Sequence, residues 1–333
     1  MTSTVIRAGA RPEAGRHGAI ALGLLAGYLL DRRFGDPQRG HPVAAFGTWA
    51  GQVERRLHRD SRAAGILGEA VTLAPTLALG AVAGRRRDLP LVVATAAVTW
   101  ASLGGTSLGR EARAVHDRLA ADDLPGGRAQ VGRIVGRATD RLSADEVARA
   151  AIESVAENTS DAVVGTLVWG ALAGPSGVVL HRAANTLDAM HGHRSPRFAR
   201  YGWTAARLDD LLGWLPARVT VLATAVAAGV SAGPQQAAEV VRIAATDGPR
   251  HPSPNAGPVE AAFAAALGVH LGGRNDYGGR IEDRAVLGSG PHPVAGDIPR
   301  ADALASRVGL VVAVAAAGLR LALAARCRAR RTR

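Results

Sequence analysis

Three acidic residues, each four positions from the next, precede a long apolar segment. Glu153, Glu157 and Asp161 lie in the run E-S-V-A-E-N-T-S-D, and residues 162–180 are mostly apolar. In a helix this spacing places the three carboxylates on one face, close to the point where the chain enters an apolar medium. Like charges repel, and Mg²⁺ prefers oxygen ligands. The pattern therefore predicts a divalent-cation site, and a solvated helix face is the alternative interpretation.

A second polar block combines a carboxylate and an imidazole on a short loop. Asp36 and His41 lie in G-D-P-Q-R-G-H-P, each directly before a proline. The two prolines fix the backbone and disfavour a helix. The loop is therefore predicted to present an acid and an imidazole on a rigid support, although a plain turn would have a similar sequence.

Two further polar blocks follow. The third holds N-T-L-D and Y-G-W-T-A-A-R-L-D-D, and it contributes Asn185, Asp188, Arg207, Asp209 and Asp210. Arg207 and Asp210 are three residues apart, which is also the spacing of an ordinary surface ion pair.

The fourth block is H-P-S-P-N-A-G, which contains Ser253 and Asn255 and is followed by Glu260. Its prolines predict a rigid turn that opens an alanine-rich helix from about Pro258. Exposed amides at a helix start attract anions, so this turn is a candidate anion site.

The elements that must position these blocks are membrane helices. Of 333 residues, 47% are hydrophobic, and they are gathered into blocks separated by charged loops. A span needs ~20 apolar residues to cross a ~30 Å hydrocarbon core. The sequence predicts an all-α polytopic membrane bundle with about five or six spans, and with amphipathic helices and polar loops at the membrane face. A re-entrant segment in place of one simple span is an alternative. The candidate spans are 20–30, which is marginal, 63–84, 89–109, 162–180, 211–230 and 304–325.

We interpret the chain as one integral membrane domain, 1–333, with an N-terminal tail over 1–17 and a basic C-terminal tail over 326–333. No internal repeat or cleavable signal peptide is evident. His181, His191 and His193 are close in sequence, but no cysteine or H-E-x-x-H spacing completes a zinc site there. Cys327 is the only cysteine, so no intramolecular disulfide forms.

The charge is large and carried by arginine alone. The net charge is +12, and all 40 basic residues are arginines. The absence of lysine excludes a lysine Schiff base and a Walker-type phosphate lysine. Any phosphate must be bound by arginine, backbone amides or a metal. The chain has no basic stripe interleaved with aromatics, so nucleic acid is not an expected partner. Clusters at 85–87 and 326–333 predict cytoplasmic loops.

Taken in order, the D-P...H-P loop, the E-S-V-A-E-N-T-S-D helix, the N-T-L-D and Y-G-W-T-A-A-R-L-D-D block and S-P-N-A-G resemble the cobalamin-biosynthesis family called CobD or CbiB, from about residue 25 to 279. The resemblance implies adenosylcobinamide-phosphate synthase, a multi-pass enzyme of the inner (cytoplasmic) cell membrane. Such an enzyme uses ATP and Mg²⁺ to join adenosylcobyric acid to aminopropanol or its O-phosphate. Membrane lipid and other late enzymes of the cobalamin pathway are further implied partners.

This chain departs from the family pattern at three places. Ala162 replaces the usual glycine, Gly165-Thr166 replace an Ala-Pro, and Pro258-Val259 replace a Trp-Pro. We expect these changes to alter local backbone shape more than chemistry.

Under this interpretation each polar block receives a role. Amide formation needs an activated carboxylate, phosphate clamps and a base for the amine. Metal ligands are predicted at Glu153, Glu157 and Asp161. Catalytic residues are predicted at Asp36, His41, Glu157, Asp161 and Arg207, with either Asp36 or His41 as the base. Substrate-binding residues are predicted at Asn158, Asn185, Asp188, Asp209, Asp210, Arg218, Ser253, Asn255 and Glu260.

Two other function classes fit parts of the sequence. A transporter would also have helices broken by Gly and Pro, as at Gly174-Pro175. A non-catalytic membrane scaffold could dock other corrinoid enzymes.

Strict alternation of six simple spans also conflicts with a single ATP site. It puts the loops of Asp36, Glu157 and Asn255 on one side of the membrane and those of Asn185 and Arg207 on the other. Either 162–180 is re-entrant at Gly174-Pro175, or one predicted span is wrong.

Overall fold

The computed structural model describes residues 3–37, 40–192, 195–276 and 281–329. The predicted helical membrane architecture is confirmed. The helices are α1 Ser3–Phe34, α2 Pro42–Leu57, α3 Arg62–Arg85, α4 Asp88–Ser102, α5 Gly105–Ala120, α6 Leu124–Val131, α7 Ala144–Asn158, α8 Gly165–Ala173, α9 Pro175–Leu187, α10 Trp203–Ala232, α11 Pro234–Thr246, α12 Ala256–Leu267 and α13 Asp297–Ala329. Two π-helical turns, Thr159–Val164 and Asp188–Gly192, follow α7 and α9, and the short 3₁₀ helix Gly248–Arg250 follows α11.

Within the described ranges, four helical segments are long and apolar enough to cross a membrane. They are Arg62–Arg85, Asp88–Ala120, Trp203–Ala232 and Asp297–Ala329, with 24, 33, 30 and 33 residues. These segments contain four of the six predicted spans. The marginal span 20–30 lies inside the longer helix α1, which starts at Ser3. Most of the predicted N-terminal tail, 1–17, is therefore helical, and its separation from the membrane domain stays a prediction.

The segment 162–180 is a helical hairpin and not one span. Gly174 separates α8 from α9 with φ +65°, a conformation that residues with a Cβ atom rarely adopt. A side chain at Gly177 would collide with the Trp169 carbonyl, and one at Gly165 would collide with the His181 ring. Because these residue pairs lie symmetrically around the break, the two helices run antiparallel. α8 has nine residues, about 14 Å, or roughly half a membrane. This hairpin is the shape that the re-entrant alternative requires, and the return to the same membrane face stays a prediction.

The acidic stripe is interrupted by the first π-helical turn. α7 ends at Asn158, and Thr159–Val164 continues as π-helix. Hydrogen bonds in a π-helix span five residues and not four, so the regular α-helical face ends before Asp161. Glu153 and Glu157 therefore share one face of α7, and the placement of Asp161 on the same face stays a prediction.

The chain divides into two compact units. The first unit comprises Met1–Leu103, Gly165–Leu212 and Val312–Arg333. Its core includes Ala50, Leu73, Ala183 and Leu187. Helices α1 and α4 approach closely because Gly23 and Gly27 face Thr95 and Thr99, where a larger side chain would collide. Small residues four apart permit this contact, as the composition predicted.

The second unit comprises Gly104–Val164 and Gly213–Val311. Its core packs α11, α12 and the second half of α10 through residues such as Val240, Ile243 and Ala262. The interpretation of the chain as one domain stays a prediction. Of the predicted C-terminal tail, 326–329 finish α13, and 330–333 lie outside the described residues, as does His193.

A β-hairpin in the second unit was not predicted. β1 Leu271–Asp276 pairs antiparallel with β2 Ile281–Leu287, with an irregular register between Leu271 and Gly273. Gly272 and Gly273 have φ values of +81° and +86°, which favour glycine strongly. The irregular register turns the Gly272 amide away from the strand pairing, where it becomes available to a side chain of α7.

Candidate active site

Three glutamates of the second unit form a cluster that joins two distant parts of the sequence. Glu153 and Glu157 lie one turn apart on α7, and Glu260 comes from α12. Glu153 and Glu260 are 8% and 3% exposed, whereas Glu157 keeps an exposed surface. The charges of Glu153 and Glu157 both act on Glu260. We call these three residues the glutamate cluster.

An arginine and a backbone amide bind Glu153, the buried glutamate of α7. The Arg137 guanidinium lies 2.6 Å from Glu153, and the two side chains are 5% and 10% exposed. The other Glu153 oxygen accepts a hydrogen bond from the Gly272 amide at 2.8 Å. Arg149 in turn donates to the Arg274 carbonyl at 2.8 Å. The cluster therefore ties α7 to the β-hairpin.

A histidine and a second arginine flank the α12 side. His251 Nε2 lies 3.9 Å from the Glu260 carboxylate and 3.3 Å from Arg284 Nη1. His251 Nδ1 accepts a hydrogen bond from the Ser253 amide at 3.0 Å. Burial lowers the pKa of His251, and the Arg284 charge lowers it further. The imidazole is therefore favoured in its neutral form.

Burial shifts the pKa values of two of the glutamates. Burial raises the pKa of Glu260 well above its ordinary value of 4.5, and the charges of Glu153 and Glu157 raise it further. Arg284 and Arg137 oppose that rise.

Burial raises the pKa of Glu157 as well, and Arg284 opposes it. Protein surrounds Glu157 closely, yet its side chain keeps accessible surface. Because water reaches it, we assign Glu157 the smaller shift of the two. Perturbed carboxyls of this kind are typical of sites that transfer protons.

The predicted metal ligands do not all come together. Across the parts of the chain that the structure describes, no group of three or more His, Cys, Asp or Glu residues is arranged to hold a metal ion. Glu153 is already engaged by Arg137 and Gly272. Mg²⁺ bound with a nucleotide needs only one or two protein carboxylates, since phosphate and water complete its shell. Glu157 and the half-buried Asp161 keep accessible surface for that role, and the metal site stays a prediction.

The remaining predicted residues of the second unit make contacts within the unit. Asn158 donates to the Ser154 carbonyl at 2.9 Å. Arg218 donates to the Pro254 carbonyl at 2.9 Å and to Asn255 Oδ1 at 3.3 Å. Ser253 Oγ accepts from the Ala256 amide at 3.1 Å. The predicted helix thus begins at Ala256, before Pro258, and Ser253 already occupies part of its proposed anion site.

In the first unit, the predicted acid and imidazole meet. His41 Nε2 lies 3.3 Å from Asp36 Oδ2. His41 Nδ1 accepts a hydrogen bond from the Val43 amide at 3.1 Å and so caps α2. Trp100 donates to the Gly35 carbonyl at 2.7 Å, which fixes the start of the loop. The loop is therefore a positioned carboxylate–imidazole pair.

The third block forms a short polar chain along α9 and α10 in the same unit. Arg182 donates to Asn185 Oδ1 at 3.3 Å, and Asn185 Nδ2 donates to Asp209 at 3.4 Å. Asp188 opens the second π-helical turn and is half-buried.

Arg207 has the geometry of a surface pair. It lies 3.3 Å from Asp210, and its side chain is 64% exposed. The surface-pair alternative is therefore the geometry that the structure shows.

Residues that the sequence analysis missed surround the glutamate cluster. Arg137, Arg284 and Gly272 carried no motif signal, because each lies far in sequence from the residue that it contacts. His251 was inside the recognised H-P-S-P-N-A-G block, but its spacing from Glu260 gave no sign of their contact. Only the fold brings these groups together.

Comparison with known proteins identifies the family. Residues 24–305 match the family described as CobD/Cbib protein. The protein named Cobalamin biosynthesis protein CobD in Mycobacterium tuberculosis is 46% identical over 298 residues, covering 89% of this chain and 94% of the relative. Its namesake in Chromobacterium violaceum is 44% identical over 297 residues, covering 86% and 92%. No solved structure matches. The chain belongs to the CobD/Cbib family and has a role in cobalamin biosynthesis.

Proposed function

We propose that this CobD/Cbib protein is adenosylcobinamide-phosphate synthase, an enzyme of the inner (cytoplasmic) membrane. It forms an amide bond between the free carboxylate of adenosylcobyric acid and the amine of aminopropanol or its O-phosphate, at the expense of ATP. Membership of the CobD/Cbib family supports a role in the cobalamin pathway. The observation that supports an enzyme is the glutamate cluster, where burial raises the pKa of Glu157 and Glu260 next to arginine.

The reaction requires activation of a poor electrophile. In our proposal the carboxylate takes the γ-phosphoryl group of ATP and ADP leaves, which produces an acyl phosphate. The amine then attacks the acyl carbon, phosphate departs, and a base takes the proton from nitrogen. Mg²⁺ would neutralise phosphate charge in the first step, with Glu157 and Asp161 as its protein ligands.

The hydrogen bonds of the Asp36–His41 pair favour the carboxylate as the base. His41 Nδ1 is an acceptor for the Val43 amide, so a neutral ring carries its proton on Nε2, which faces Asp36. The free lone pair of such a ring is the one on Nδ1, and it already accepts the hydrogen bond of the Val43 amide. We therefore assign proton acceptance from the amine to Asp36, and His41 orients that carboxylate.

The location of the glutamate cluster favours an enzyme over a transporter. Transporters place ionisable groups on spanning helices near the membrane midplane. Glu153, Glu157 and Glu260 lie on α7 and α12, neither of which is among the four candidate spans. A scaffold has no need to bury an acid whose pKa is raised, because burial of such a group costs stability.

The test is a defined reaction with purified full-length protein in detergent. Adenosylcobyric acid, ATP, Mg²⁺ and either aminopropanol or its O-phosphate are incubated, and mass spectrometry follows the corrinoid amide while a coupled assay follows ADP. We expect one ADP for each amide formed, and the comparison of amines identifies the natural one.

Three results would separate the proposal from its rivals. Corrinoid uptake into proteoliposomes without ATP consumption would establish a transporter. Corrinoid binding without uptake or ATP consumption would favour a scaffold. A Glu157→Gln variant that forms amide at the wild-type rate would remove the glutamate cluster from the reaction even if the synthase activity is found.

A further inference from the structure

Four arginines of the first unit surround a cavity at one end of the candidate spans. Arg16 comes from α1, Arg85 ends α3, and Arg86 and Arg87 form the turn to α4. Together with Ser176 at the start of α9, they line a cavity of about 420 Å³. We call Arg16, Arg85, Arg86 and Arg87 the arginine basin.

Packing of glycine-containing helices brings the members of the basin together. Gly84 of α3 lies near both Arg16 Nη2 and Ser176 Oγ, each 3.8 Å from the position that a Cβ atom would occupy. Gly80, one turn earlier, packs directly on the Ser176 backbone. The concave shape therefore depends on backbone contacts, which are more rigid than exposed side chains.

The basin holds more positive charge than the protein neutralises. Glu13 is the only acidic residue among those that line the described cavity. Within the described ranges, none of the four guanidinium groups forms an ion pair or a side-chain hydrogen bond. Arg320 of α13, only 6% exposed, adds a further positive charge that acts together with Arg16. Repulsion among these groups favours binding of an anion with several oxygen acceptors.

The surroundings of the basin indicate an amphipathic anion. Arg85 ends one candidate span, and the next begins at Asp88, so the basin lies at a membrane boundary by the length of its helices. Large apolar side chains are exposed close to it in sequence: Val82, three residues before Arg85, is 47% exposed, and Leu89, two residues after Arg87, is 70% exposed. A free nucleotide or phosphate ion gains nothing from these side chains, whereas an acyl chain buries them.

We propose that the arginine basin binds the phosphate group of an anionic phospholipid, with the acyl chains against the exposed apolar residues of α3 and α4. Arginine suits this ligand because its planar guanidinium grips two phosphate oxygens at once. Anionic headgroups attract basic segments beside membrane helices. The site is independent of the synthase proposal, since it contains none of the residues assigned to that reaction.

The test measures lipid preference with the full-length protein in neutral detergent. Phosphatidylglycerol and phosphatidylcholine carrying the same fluorescent acyl chain are titrated in parallel. We expect phosphatidylglycerol to bind about tenfold more tightly, and Arg85→Gln/Arg86→Gln to lose most of that preference, as removal of two arginines near an anionic group predicts. The matched control is Arg55→Gln/Arg56→Gln, two exposed arginines at the end of α2, which should keep the preference.

Several outcomes would overturn the proposal. Equal binding of the two lipids by wild-type protein is one, and equal loss of preference in both double variants is another, since net charge alone would then explain it. Displacement of phosphatidylglycerol by inorganic phosphate or ATP at submillimolar concentration would make the basin a site for a soluble phosphate ester. If Arg85→Gln/Arg86→Gln unfolds, Arg16→Gln on a different helix provides the same test, and an unchanged preference in it counts against the basin.

Discussion

Two ion pairs of the first unit and the glutamate cluster of the second unit are built in different ways. In these two pairs of the first unit the partners are near neighbours in sequence: Asp36 contacts His41, and Arg207 contacts Asp210. In the second unit Glu153 accepts from Gly272, which lies 119 residues further along the chain, and Glu260 is influenced by acids of another helix. Local pairs form wherever a loop or a helix face places them. The glutamate cluster exists only when α7, α12 and the β-hairpin pack together.

This difference has an electrostatic consequence. A local pair on an exposed surface is solvated and contributes at most about 1 kcal/mol to stability. The long-range cluster removes Glu153 and Glu260 from water and places arginines near them, so that burial and charge act on the same groups. The pKa of a carboxyl can therefore be shifted much further in the buried cluster than in an exposed local pair. The following predictions test this comparison by disturbing each environment in turn.

The largest effect is expected from the buried ion pair of the cluster. Arg137→Gln leaves Glu153 buried without its guanidinium partner, and loss of one partner of a buried pair typically costs about 3–5 kcal/mol. We expect a fall in melting temperature of the purified protein in detergent, measured by tryptophan fluorescence. Arg141→Gln is the control, because the Arg141 side chain is 89% exposed in its pair with Asp140. Similar melting temperatures for both variants would mean that burial does not distinguish the two environments.

The second prediction concerns turnover. Glu157→Gln removes a carboxylate with accessible surface and keeps its size, and loss of one electrostatic contact in a transition state typically costs on the order of 10²-fold in kcat. We expect that loss in the amide-forming assay, together with a weaker dependence on Mg²⁺ and unchanged expression. Asp140→Asn, at an exposed position of the same unit, should retain wild-type turnover. If the two variants behave alike, the glutamate cluster is structural and the solvated-face interpretation returns.

The third prediction uses pH. Burial and the charges of Glu153 and Glu157 hold the folded-state pKa of Glu260 above 4.5, so below pH 4.5 its proton is bound in both folded and unfolded chains. The folded state binds this proton more tightly than the unfolded state does. The free energy of unfolding therefore falls as pH rises from 4.5 through the folded-state pKa. The lowered pKa of His251 acts in the opposite sense, with stability rising as pH approaches 6.5.

Glu260→Gln isolates the carboxyl contribution. Relative to this variant, the wild-type protein should lose melting temperature as pH rises above about 4.5 toward 8, because only the wild type titrates at position 260. Glu239→Gln, in the exposed pair with Arg242, should not reproduce that change. A constant difference between wild type and Glu260→Gln over the whole range would show that Glu260 has an ordinary pKa.

The sequence predicted the elements better than their assembly. Four long apolar helices, the break at Gly174 and the contact of Asp36 with His41 follow from local composition and from proline and glycine positions. The β-hairpin was missed because L-G-G-R-N-D has little strand propensity, and its glycines serve a register irregularity. The π-helical turn at Thr159 was missed because no residue type marks the change from four- to five-residue hydrogen bonding between Glu157 and Asp161.

The site was only partly predictable for a related reason. Glu153, Glu157 and Glu260 were recognised as acids in motifs, but the arginines that set their electrostatics were not. Arg137 and Arg284 resemble the many other arginines of a chain that has no lysine. Packing decides which of the 40 arginines reaches a buried carboxylate. The spacing of residues in the sequence does not reveal that packing.

The smallest effect is expected at Arg207. It tests whether a pair of residues that are near neighbours in sequence contributes to the site. Its guanidinium is 64% exposed and pairs with Asp210 at 3.3 Å, so Arg207→Lys should leave the melting temperature nearly unchanged. If Arg207 also binds the substrate phosphate, lysine cannot reproduce its two-point grip. We then expect the apparent KM for aminopropanol phosphate or ATP to rise about tenfold, with little change for adenosylcobyric acid. Arg242→Lys, in an equally exposed pair of the second unit, is the control. An unchanged KM for both phosphate substrates would reduce Arg207 to a surface pair, and the candidate phosphate contacts of the first unit would have to be sought elsewhere.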